Sequence, residues 1–189
     1  MQRNKIQNLT LIAFMAAILC VAGPIVIPIG MVPMSFANMA IYLTVLLLDK
    51  RKATISVAIY LLIGFIGVPV FSGFTAGAGK LLGPTGGYLI GYLGLSWIAG
   101  EILEAFDRKP LWKKHQKKIK NLGQMMALAA GTIILYLVGT LWLMVQNEMD
   151  FVVALSIGVL PFVVFDAVKI VAAVILANAI KKRIGTQLN

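Results

Sequence analysis

Apolar blocks long enough to cross a bilayer recur along this chain, and they limit what it can become before any motif is read. Blocks near 9–23, 35–48, 53–68, 86–106, 122–145 and 151–180 hold very few charged residues. A helix crossing hydrocarbon needs ~20 mainly apolar residues. Only 13% of the 189 residues are charged, where soluble domains carry about a quarter. The chain therefore reads as a multi-pass helical membrane protein. The last block is longer than one perpendicular helix requires, and Pro161 divides it, since proline suits a first helical turn. Residues 151–160 are expected as a short outer segment and 161–181 as a sixth span. Pro24, Pro28 and Pro33 predict a bent surface turn between the first two spans. The expected fold is an all-α membrane protein of six transmembrane helices in a single domain, 1–189.

Lys and Arg placement predicts the orientation. With both termini in the cytoplasm, the inner segments hold Arg3 and Lys5, then Lys50–Lys52. They also hold seven bases between Arg108 and Lys120, and then Lys181–Arg183. Those are 15 of the 17 Lys and Arg, the positive-inside bias. It accounts for the net charge of +10 without nucleic acid. The chain is expected in the cytoplasmic membrane. The 108–120 cluster reads as a contact for anionic lipid or a cytoplasmic partner, or as a solvated basic loop. His115 stands alone there, so no metal site is expected. No cleavable signal peptide is evident. Cys20 is the single cysteine, which excludes an internal disulfide and suggests packing.

Between the third and fourth spans, residues 66–88 hold seven glycines together with Pro69 and Pro84. Glycine costs backbone entropy and proline restricts its neighbour, so a regular helix is not expected here. Irregular backbone beside a membrane is tolerated where protein buries it or where it lines a cavity. This external Gly-rich loop is read as a lid over a small-molecule site; the plainer alternative is an ordered connection. Its Gly79-Lys80 does not complete a phosphate-binding loop. Position 74 is Phe where Gly is needed, and Leu81 stands where Ser or Thr is needed.

Two bases remain, Lys80 in the external segment and Lys169 in the sixth span. Lys169 follows Asp166 by three residues, which puts both on one helix face. Each costs about 2.5–3.5 kcal/mol at mid-bilayer on insertion scales, so the two are expected to pair and face inward. The pair reads either as a donor–acceptor site for a polar ligand head or as a packing salt bridge. Ala13–Ala17 and Gly87–Gly91 are small-xxx-small patterns that permit close helix approach. Trp97, Trp112 and Trp142 read as interface anchors or core.

The runs Ile66-Gly-Val-Pro-Val-Phe71 and Leu82-Gly-Pro-Thr-Gly-Gly-Tyr88, with Asp166-x-x-Lys169, resemble the BioY family. These are the biotin-specific S components of energy-coupling-factor (ECF) transporters, and the likeness covers nearly the whole chain. It implies a high-affinity biotin-binding protein working with a transmembrane coupling subunit and two cytoplasmic ATPases. ATP would be used by those partners; no cofactor and no catalysis are implied for this chain. Asp166 and Lys169 would take the fused-ring head, and Thr75 matches a loop position that is often Asn. Gly73, Phe74 and Tyr88 join them as candidate substrate contacts. Ala13 and Ala17 match the docking face of the first helix. Some members carry Arg where this chain has Leu89, so Lys80 is the candidate for the ligand carboxylate. Near Ala37 many members have Gln, and here Asn38 is adjacent. The alternatives are an S component for another small vitamin, an intramembrane enzyme using Asp166, and a structural membrane subunit. The enzyme lacks a second acid, a Ser/His pair or a metal cluster within a span.

Overall fold

Pro24 and Gly23 stop the first helix, and a two-stranded turn with an exposed first limb takes the chain back into the bundle. In the computed structural model, which describes residues 2–28, 32–108 and 117–187, α1 runs Gln2–Ala22. Strands β1 (Val26–Ile27) and β2 (Met34–Ser35) pair antiparallel, with Val26 opposite Ser35. The expected surface turn holds for its first limb, where Ile25, Ile27 and Pro28 are exposed, and fails for its second. Val32, Met34 and Ser35 are buried, because the pairing turns the second strand inward.

Helices α2 (Ala37–Leu47) and α3 (Lys50–Phe65) meet at Asp49, whose carboxylate caps α3 by accepting from the Lys52 N–H at 3.0 Å. A short helix, α4 (Ala78–Leu82), interrupts the Gly-rich segment. There follow α5 (Gly86–Arg108), α6 (Lys117–Asn147), α7 (Phe151–Gly158) and α8 (Leu160–Gln187). The break at Val159 and the first-turn position of Pro161 match the expected division of the last block within two residues. Trp112 and His115 lie outside the described residues.

Four helices, α1, α5, α6 and α8, are long and apolar enough to cross a membrane. Helix α2, with 11 residues, and α3, with 16, are shorter, since the buried turn and the basic start of α3 each take residues from a continuous span. Lipid-facing positions such as Phe14, Ile133, Leu137 and Val164 are exposed while the core is closed. This is a helical membrane protein.

Helices α5 and α6 approach closely through glycine. A Cβ at Gly91 would press on Leu135, and one at Gly139 would overlap the Tyr88 ring. Gly87-x-x-x-Gly91 is therefore internal packing. Ala13 and Ala17 are different: both are exposed, on the side of α1 turned away from the bundle.

Candidate ligand site

The Gly-rich segment is anchored at its base and free at its tip. The buried Phe71 ring packs edge-on against Tyr60, with centroids 5.7 Å apart. It also fills the space a side chain on Gly64 would need. Backbone bonds from Gly73 N–H to Pro24 O (3.1 Å) and from Gly77 N–H to Gly64 O (2.7 Å) tie the segment to the turn after α1 and to α3. Beyond those ties Gly73 and Phe74 adopt φ of +72° and +59°. Such a conformation is natural for glycine and uncommon for phenylalanine. The Phe74 ring is exposed.

A small pocket, part of it open, lies among β2, α2, α5, α6 and α8. Its polar groups converge on Asp166, which is only 3% exposed. Lys169 Nζ donates to Asp166 Oδ1 at 3.1 Å and to the Ser35 carbonyl at 3.0 Å. Asp166 Oδ2 accepts from the Tyr136 hydroxyl at 2.7 Å and from Asn38 Nδ2 at 3.2 Å. The predicted pair thus exists, faces inward, and is held by three other elements.

The remaining valences define what the site can bind. A carboxylate has about four lone-pair directions and an ammonium has three protons. Oδ2 is saturated by its two donors, while Oδ1 keeps one acceptor direction and Lys169 keeps one proton. Two adjacent valences, one accepting and one donating, suit a ligand with an N–H beside a C=O. The walls are Val32, Pro33, Met34, Leu135, Phe162 and the rings of Tyr88 and Tyr92, an apolar lining with few polar groups.

A second small pocket, also partly open, shares Val32, Pro33, Ser35, Tyr88 and Tyr92 with the first and leads towards Ser72 and Thr85. Tyr88, expected in the site, lines both cavities. Its hydroxyl is committed to the Gly158 carbonyl at 3.1 Å, so it contributes its ring.

Gly73, Phe74, Thr75 and Lys80 are not among the residues lining either cavity. The Thr75 hydroxyl donates within its own turn, to Ser72 O at 3.0 Å. Lys80 sits on α4 without an ion pair among the described residues, and burial lowers its pKa. The cavity is also lined by Tyr92 and Tyr136, which the sequence reading did not single out, and by Val32 and Pro33, which it read only as a turn. A tyrosine hydroxyl in the middle of a span is a costly polar group without a partner, and that cost was the available signal for Tyr92 and Tyr136.

Comparison with known proteins places this arrangement. The sequence profile of the BioY family matches residues 1–186. The chain belongs to the BioY family. Biotin transporter BioY2 of Lactococcus lactis subsp. cremoris is 37% identical over 95% of this chain and 93% of its own length. Biotin transporter BioY of Thermotoga maritima is 35% identical over 88% of this chain and 90% of its own. Among solved structures, the S-component for biotin from an ECF-type ABC transporter superposes with a TM-score of 0.85. It is 30% identical and covers 96% of this chain and 94% of that one. In this BioY chain, the Asp166–Lys169 pair and its cavity are built on that S-component fold.

Proposed function

We propose that this chain binds biotin in the membrane and takes it up as the S component of an ECF transporter. The observation that carries the reading is the buried Asp166–Lys169 pair, open to a cavity in a BioY protein whose relatives are named biotin transporters. The ureido ring of biotin donates through N–H and accepts at its carbonyl. The free direction on Asp166 Oδ1 would take the N–H, and the free proton of Lys169 would meet the carbonyl. Asn38 and Tyr136 would keep the carboxylate in place. The thioether ring and valeryl chain suit the apolar walls and the limb towards Ser72 and Thr85.

In this reading the whole of 1–189 is one membrane domain of six spans, with α2 and α3 as its short members and both termini cytoplasmic. Gly73, Phe74 and Thr75 form the cover of the site, and Lys80 meets the ligand carboxylate at its rim. Ala13 and Ala17, exposed on α1, form the face for a transmembrane coupling subunit. Two cytoplasmic ATPases complete the module, and this chain needs neither a cofactor nor a catalytic group.

Mass spectrometry of the small molecule released from the purified protein tests the reading. Biotin should be recovered near one per chain. A different vitamin would keep the architecture and replace the substrate, and no ligand at all would leave a structural subunit.

A further inference from the structure

The tyrosines of the bundle differ in what their hydroxyls do. The chain has five, and three are engaged. Tyr42 bonds the Thr132 hydroxyl at 2.8 Å, Tyr88 donates to the Gly158 carbonyl at 3.1 Å, and Tyr136 donates to Asp166 at 2.7 Å. The Tyr60 hydroxyl is unpaired and closed off from solvent. Tyr92 is the exception. Its hydroxyl makes no hydrogen bond among the described residues, yet its oxygen is not closed off in the way of Tyr60. The residue as a whole is only 6% exposed and lines both small pockets, so the open part of that oxygen lies within them. A hydroxyl left so deep without a partner forfeits a hydrogen bond that water would have given it.

Where the two pockets meet, little else is available to a ligand. They share Val32, Pro33, Ser35, Tyr88 and Tyr92, while Asp166 and Lys169 line only the first and Ser72 and Thr85 only the second. The side chains of Val32 and Pro33 carry no polar group. Ser35 Oγ donates to the Gly23 carbonyl at 2.9 Å and accepts from the Ala37 N–H at 2.9 Å. Tyr88 is spent on Gly158. Tyr92 is therefore the one uncommitted side-chain hydrogen-bonding group at the junction among the described residues.

Resting on the biotin reading above, we infer that the Tyr92 hydroxyl donates to the ring sulfur and makes the site select a ligand with a heteroatom at that place. With the ureido head at Asp166 and Lys169 and the chain in the limb towards Ser72 and Thr85, the thioether ring spans the junction. Its sulfur lies on the side of the fused rings away from the ureido carbonyl. That sulfur is bonded to the carbon that bears the chain, so it sits where the two limbs join. A thioether is a weak acceptor, and the contact therefore adds modestly to affinity. Its larger effect is on choice. An ether oxygen in place of sulfur accepts better, whereas a ligand without a heteroatom there leaves the hydroxyl as unpaired as it is in the empty site.

Tyr92→Phe keeps the ring and removes the hydroxyl. The test is calorimetric titration of the full chain and this variant with biotin, with oxybiotin (an ether oxygen for the sulfur) and with dethiobiotin (no ring heteroatom). The substitution should weaken biotin about threefold and oxybiotin about tenfold, the range of one neutral hydrogen bond. It should leave dethiobiotin unchanged. The ligand-free variant should melt at or above the wild-type temperature, since it loses no bond within the protein. An equal loss for all the ligands would move the hydroxyl to the ureido group they share and overturn the sulfur contact. No loss for any ligand would overturn it too, as would a lower melting temperature of the ligand-free variant, the mark of a partner inside the bundle. A wild-type chain that binds none of these ligands would overturn the biotin reading as well. Tight biotin binding by the wild type with a flat series overturns this inference alone.

Discussion

The Tyr136 hydroxyl on α6 donates to Asp166 Oδ2 on α8 at 2.7 Å, in a pocket that Asn38 of α2 closes from the other side. That bond fixes which carboxylate oxygen is spent on the protein and which is left for a ligand. Tyr136→Phe keeps the ring and removes only the donor. It should weaken biotin about tenfold or more, since a hydrogen bond to a charged group contributes about 1.5–3 kcal/mol. Isothermal titration of both proteins measures it. Unchanged affinity would reduce Tyr136 to a wall of the cavity.

Asp166→Asn and Lys169→Met should each weaken biotin by more than about tenfold, because the remaining partner is left desolvated and unmatched. The same loss bears on the fold, since breaking a buried pair costs about 3–5 kcal/mol. Thermal unfolding must therefore be followed beside titration. A variant that melts at a lower temperature and still binds normally would make the pair a packing device.

On α1, Ala13→Leu or Ala17→Leu should abolish uptake in cells and leave biotin binding by the purified chain intact. Both residues are exposed, so bulk there meets a partner's helix and not this bundle. If binding falls with uptake, the face serves the bundle's own packing.

The Asp49 cap gives a pH dependence. Burial acts to raise its pKa, but hydrogen bonds from the Lys52 side chain and backbone, with the charges of Lys52 and Arg51, bring it below the usual 3.8. A carboxyl with a depressed folded pKa stabilises above its unfolded value and loses that contribution as pH falls through the folded one. Asp49→Ala should cost roughly 1 kcal/mol at neutral pH, the ordinary worth of such a cap. The difference in melting temperature should shrink on acidification below about pH 4. An equal difference at pH 3 and pH 7 would show that the charge is not involved.

What could be read beforehand was local, and what could not was tertiary. Hydropathy and Pro161 placed the helices, and three-residue spacing placed Asp166 beside Lys169, because both are properties of one short stretch. Asn38 is 128 residues from Asp166 and Tyr136 is 30 away. No periodicity links such partners. The segment 24–33 looked like surface because three prolines forbid helix, yet forbidding helix does not say that its end, at Val32, turns inward. Glycine density likewise hid α4, five residues long.

Lys80 is the last residue to test, and its place on α4 sharpens the question. It is the only Lys or Arg between Lys52 and Arg108. Burial without an ion pair among the described residues lowers its pKa, so the charged form lacks a partner there. A bound carboxylate would supply one and raise that pKa, so binding would take up a proton. Affinity should then fall as pH rises through the lowered value of the free protein. Ser72 and Thr85 at the end of the second cavity could instead hold the carboxylate with hydroxyls, which do not titrate in that range. Lys80→Ala should weaken biotin by roughly tenfold, a partly hydrated charge-assisted bond. Biotinamide, which has no charge to meet, should change little. The variant should also lose the alkaline decline in affinity. An equal loss for acid and amide, or a decline that survives the substitution, would remove Lys80 from the site.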